Sequence, residues 1–120
     1  MKLAVPVTEK LLDASIDQRF GRAPFFLIYD TANLEHHFVD NTQNLESSQG
    51  AGIQSAQHIV NAGAQALLTP HCGPKAFKVL QTAKVDVYTC NLETAKQAIG
   101  AYRDGLLSKT DQADVEGHWI

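Results

Sequence analysis

The feature that most constrains this chain is a change of period after residue 52. Ile53, Ala56, Ile59 and Val60 recur at helical spacing and stop at Gly63. Ala66-Leu67-Leu68-Thr69 then reads as a short buried strand. Ala76, Phe77, Leu80 and Ala83 mark a second helix, Val85 to Thr89 a further strand, and Ala95, Ala98, Ile99 and Tyr102 a third helix. The last helix opens on Thr94 and Gln97, spaced as a capping box. A strand that returns through a helical crossover must lie parallel to the strand it left. The second half of the chain therefore predicts parallel strands with helices packed on the faces of one sheet.

The first half has a different grammar. Leu3 to Val7, Phe25 to Tyr29 and His36 to Val39 are short apolar or β-branched runs. Asp30, a polar turn over residues 31–35, and Asp40-Asn41 punctuate them, which predicts an antiparallel meander. Residues 8–24 read mostly as loop, and residues 41–52 are polar. The order is β-β-β-α-β-α-β-α. It predicts an α/β fold, a mixed five-stranded sheet of order 3-2-1-4-5 with helices on both faces. One domain is expected over residues 1–107, followed by a polar tail over 108–120.

Composition narrows the function classes. With 120 residues and 44% hydrophobic content, the chain can build a core without disulfide or metal staples. Cys72 and Cys90 fit neither a zinc finger nor a C-x-x-C motif, and both are expected to be reduced thiols. A net charge of −3 argues against a general nucleic-acid binder. No apolar run approaches a membrane span, and Met1-Lys2 leads straight into a strand, so the expected location is the cytoplasm.

The topology also selects an edge. In open α/β sheets ligands bind beyond the carboxyl ends of the parallel strands. Those ends are Val7-Thr8, Thr69 to Cys72, and Thr89 to Asn91; the start of the second strand brings in Arg19 to Pro24. Arg19, Arg22, Gly50, Gly52, His71, Cys72, Gly73 and Cys90 are thereby expected at one edge, with His36 and His37 at the other. Gly73-Pro74 opens a helix whose free N–H groups favour an anion. Arg19 and Arg22 would add two planar cationic forks. His71 and Cys72 are ligand types for a transition metal or a metal–sulfur unit. An anionic, sulfur-rich ligand suits this set. Structural readings stand beside it: Cys72 and Cys90 as small core residues, Arg19 or Arg22 paired with Asp17, and His58 as a helix surface residue.

Asp17-x-x-Phe20-Gly21-Arg22-Ala23, the run Phe25 to Asp30, Gly50-x-Gly52, and Gly73-Pro74-x-Ala76-Phe77-x-x-Leu80 together resemble the dinitrogenase iron-molybdenum cofactor family, to about Tyr102. The resemblance implies a ribonuclease H-like fold and a non-enzymatic role in binding, carriage or assembly of a metal–sulfur cluster, with molybdenum and either iron or copper. It implies cluster donor and acceptor proteins as partners. Matched by position, the cofactor-binding pieces are Arg19, Arg22, Gly50, Gly52, Gly73 and Pro74, with His71 and Cys72 as metal-ligand candidates. The chain departs from the family pattern in a thin glycine entry over residues 47–52 and in Cys72 itself. Two other readings compete. One is a partner-binding or regulatory domain without ligand. The other is a nuclease, for which the first strand lacks the needed carboxylate.

Overall fold

The computed structural model describes residues 1–42 and 51–111. Six strands form one sheet: β1 (Lys2–Val7), β2 (Phe25–Asp30), β3 (His36–Asp40), β4 (Ala66–Thr69), β5 (Asp86–Thr89) and β6 (Lys109–Thr110). Three helices complete the fold: α1 (Ala51–Asn61), α2 (Pro74–Thr82) and α3 (Ala95–Arg103). The strand order is β3-β2-β1-β4-β5-β6. β1, β2 and β3 pair antiparallel, whereas β1–β4 and β4–β5 pair parallel, as the crossover argument requires.

One expectation needs correction. The sheet has six strands rather than five, because Lys109–Thr110 adds antiparallel to β5 in the region read as polar tail. Two residues carry no period to detect. What holds them is local: the Lys109 ammonium lies 3.1 Å from the Asp86 carboxylate, and the hydroxyls of Thr89 and Thr110 meet side by side.

Alternation along the strands sorts the core into two layers. Ala4, Phe26, Ile28, Leu67 and Val87 face α1 and α2, packing on Ala56, Ile59, Ala76 and Leu80. Leu3, Val5, Val7, Leu27 and Leu68 face α3, packing on Ala95, Ala98 and Ile99. The central strands are buried on both sides, which is why β4 reads as an unbroken apolar run.

Pro6 sits in a central strand, where a missing N–H should break the ladder. Its place explains the tolerance. Pairing of β1 with β4 covers Leu3 and Ala4. Beyond it, the Pro6 carbonyl accepts from the Asp17 N–H at 2.9 Å, and Val7 bridges to Ile16. The partner of β1 thus changes at Pro6, and the sheet opens at the junction between its antiparallel and parallel halves.

Candidate functional site

The carboxyl ends of β1, β4 and β5 meet the start of β2 and the end of β3 at this junction. Val7 pairs with Phe25, Phe25 with Asp40, and Thr69 with Thr89. The segment entering β2 holds a 3₁₀ turn, Phe20–Arg22. Phe20 is fully buried, its ring 5.2 Å from that of Phe26. Phe20 and Ala23 share one continuous core cluster with Ala56 of α1 and with Cys72 and Ala76 at the start of α2. The turn packs on α1, and the parallel strand ends put the start of α2 at the same end of the sheet.

Arg19, which precedes the turn, is exposed, and Arg22 within it is half-buried. The Asp17 carboxylate accepts the Arg19 backbone N–H at 2.9 Å. Lys10, absent from the sequence-based set, also belongs to this edge, with its ammonium 5.1 Å from the centre of the Phe25 ring. Asp40 is the nearby counter-charge. The Thr42 hydroxyl and N–H, opposed by desolvation and then aided by Lys10 and His58, hold its carboxyl below the usual range.

The start of α2 is built around backbone. Gly73 is the N-cap, with extended dihedrals and no side chain to cap with, and Pro74 takes the first turn. A helix leaves its first N–H groups without intrahelical partners. Here no cap side chain takes them up, and the positive end of the helix dipole points the same way. Gly73 is buried and Pro74 exposed. His71 is half-buried, and its carbonyl accepts the Thr69 hydroxyl at 3.0 Å. Cys72 is only 3% exposed and packs in the α1–α2 layer, its Sγ 3.8 Å from the Gly73 carbonyl. Gly52 is buried in the first turn of α1, whereas Gly50 lies outside the described residues. Cys90 leaves β5 into the opposite core layer, and burial raises its thiol pKa. His36 and His37 lie on β3, toward the far end of the sheet.

A buried polar chain missed by the sequence reading fixes this edge. The Asn41 amide donates to the Ala23 carbonyl at 2.8 Å and to the Ser55 hydroxyl at 3.0 Å. Ser55 Oγ in turn donates to the Gly21 carbonyl at 3.3 Å. Both Asn41 hydrogens point this way, so its oxygen must accept, and the 2.6 Å contact with His58 Nδ1 carries the hydrogen on the imidazole. His58, expected on the helix surface, is therefore half-buried and bonded to Asn41. The chain ties the end of β3 and α1 to the 3₁₀ turn. Its one legible signal was the three-residue spacing of Ser55 and His58, which puts both on one helix face.

Among the described residues, no group of three or more His, Cys, Asp or Glu side chains converges as a metal-ion cage. The chemistry this edge offers is positive charge and directed N–H groups.

The sequence profile of the dinitrogenase iron-molybdenum cofactor family matches residues 1–105. The apo form of the orange protein from Desulfovibrio gigas is similar in structure, with a TM-score of 0.92 and 36% identity over 95% of this chain and 96% of that one. A proposed NifB protein from Thermotoga gives a TM-score of 0.83 at 33% identity, covering 97% of this chain and 98% of the other. An uncharacterized protein of Methanocaldococcus jannaschii is 31% identical over 91% of both chains. This chain belongs to the dinitrogenase iron-molybdenum cofactor family.

Proposed function

We propose that this protein is a non-catalytic carrier or assembly factor for an anionic metal–sulfur cluster containing molybdenum with copper or iron. The cluster is cargo, received from and passed to partner proteins in the cytoplasm. The observation that carries the reading is the pairing of the arginine-bearing 3₁₀ turn with a helix start that has no side-chain cap, at one edge of the sheet. Sulfide-rich clusters are bulky anions, and guanidinium forks and backbone N–H groups bind such ligands without covalent bonds. Family membership and the likeness to the orange protein support a metal-cluster role.

The proposed binding set is Arg19, Arg22, Gly50, Gly52, Gly73 and Pro74. The glycines allow close approach, and the proline presets the helix start. His71 and Cys72 are the metal-ligand candidates. Burial of Cys72 in the core layer favours holding by charge and backbone over thiolate ligation. The ribonuclease H-like label describes the β3-β2-β1-β4-β5 core in this reading. It brings no nuclease chemistry, since Leu3 to Val7 of β1 are buried and carry no carboxylate.

Anaerobic mixing of the protein with tetrathiomolybdate and copper(I), or with an iron–molybdenum cluster, tests the proposal. Desalting, metal analysis and visible spectroscopy follow. A coloured protein with stoichiometric molybdenum is expected. A colourless, metal-free protein from both mixtures would overturn the reading.

A further inference from the structure

A groove of about 510 Å³ runs between α1 and α2. Ile53 and Val60 line one wall, Val79 and Ala83 the other, and Lys75 and Lys78 border it. Both helices follow strands that end at the candidate site, so they run side by side in the same direction. Ile53 and Lys75 lie near their starts, and Val60 and Ala83 near their ends. The groove therefore begins at the site edge and extends roughly 10 Å along the helices, at 1.5 Å per residue. Ile53 is 41% exposed there, an apolar side chain turned outward on a helix that buries its opposite face.

Charge is distributed unevenly around this groove. Residues 47–85 contain no Asp or Glu; all 13 acidic residues lie elsewhere, and the full charges in that stretch are Lys75, Lys78 and Lys84. A chain of net charge −3 thus presents one apolar, basic helical face. We propose that this groove docks an amphipathic helix of a partner protein, whose apolar stripe is bordered by Asp or Glu. Helix-in-groove recognition uses apolar anchors at i, i+3, i+4 and i+7, and opposite charges at the rim set orientation and association rate.

Two other occupants fit less well. Among the described residues a second copy offers no matching helix, because α1, α2 and α3 lack Asp and Glu. An anionic membrane recruits clusters of about four to eight basic residues on an outward surface, whereas two lysines border this concavity. The inference does not depend on the cluster reading, and its test needs no metal.

The isotope-labelled full chain would be titrated by NMR with two synthetic 18-residue helical peptides. Both share one leucine stripe; glutamates flank it in one and lysines in the other. Amide shifts concentrated at Ile53, Val60, Val79 and Ala83 are expected with the glutamate peptide, with at least tenfold weaker binding of the lysine peptide. The double variant Gln57→Glu/Lys78→Glu changes exposed positions outside the candidate site and should reverse that preference with an unaltered circular dichroism melt. Weakening by Ile53→Ala would confirm the apolar anchor. Equal binding of the two peptides, or shifts outside the groove, would overturn the proposal. So would self-association of the free chain through the groove on sedimentation, or vesicles of anionic phospholipid shifting the groove amides more strongly than the glutamate peptide.

Discussion

Helices α2 and α3 begin at the same edge of one sheet and are finished in opposite ways. At α3, the Thr94 side chain accepts the Gln97 N–H at 3.2 Å, and the Gln97 side chain accepts the Thr94 N–H at 3.3 Å. Its start is closed by its own residues. At α2, Gly73 takes the N-cap position and Ala76 the N3 position, and no side-chain cap forms. A cap contributes about 1 kcal/mol, so a helix that omits one gives up stability at that point. At the same end of the sheet stand Arg19 and Arg22, on a turn that a buried polar chain ties to α1. Around α3, Ile16 and Ala95 spend their N–H groups on the Glu93 and Ala14 carbonyls. The contrast separates a helix start closed by its own side chains from one that, in the proposed function, receives the ligand.

The strongest way to break this contrast is to reverse the charge at the open start. Arg19→Glu/Arg22→Glu should lower cluster uptake at least ~100-fold, about 2.8 kcal/mol at 1.4 kcal/mol per tenfold. Arg19 is exposed and Arg22 half-buried, so uptake is compared at temperatures where the wild type and the double variant are both fully folded. Equilibrium binding of tetrathiomolybdate with copper(I), read beside a thermal melt, measures the loss.

Next in size is loss of the polar chain that positions the turn. Asn41→Ala strands buried partners at Ala23, Ser55 and His58 and should cost about 2 kcal/mol or more. Urea unfolding measures that loss. The decisive companion reading is uptake by the fraction still folded, which should fall as well, because the arginine turn loses its anchor.

Thr94→Ala opens the closed start. It should cost about 1 kcal/mol of stability while leaving cluster uptake unchanged. Reduced uptake would mean that α3 contributes to the site and that the contrast is misdrawn.

The smallest effect concerns Cys90, beside the closed start. Burial raises its thiol pKa in the folded protein, so the thiolate forms first in the unfolded chain. Below the unfolded value of about 8.5 its contribution to stability is fully present; it is lost as pH rises above that value. Melting temperature should therefore fall more steeply above about pH 8.5 in the wild type than in Cys90→Ala.

The strand order was legible because crossover handedness and strand pairing admit few topologies. The edge was legible for the same reason: topology alone carried Arg19, His71 and Gly73 to one end of the sheet. Elements set by single partnerships escaped. β6 depends on a lysine–aspartate contact and a threonine pair across 21 residues. Asn41, Ser55 and His58 look like ordinary polar residues until burial makes their hydrogen bonds obligatory. Cys72 reads as a metal ligand by residue type, and its burial in the α1–α2 layer is a tertiary feature that residue type does not reveal.

The central claim is that charge and backbone hold the cargo, with no thiolate bond. Cys72→Ala, purified and reconstituted without oxygen beside the wild type, tests it most directly through molybdenum content and the visible spectrum. The account predicts equal metal content and an unshifted absorption band. A folded Cys72→Ala protein that stays colourless would contradict it and make Cys72 a ligand.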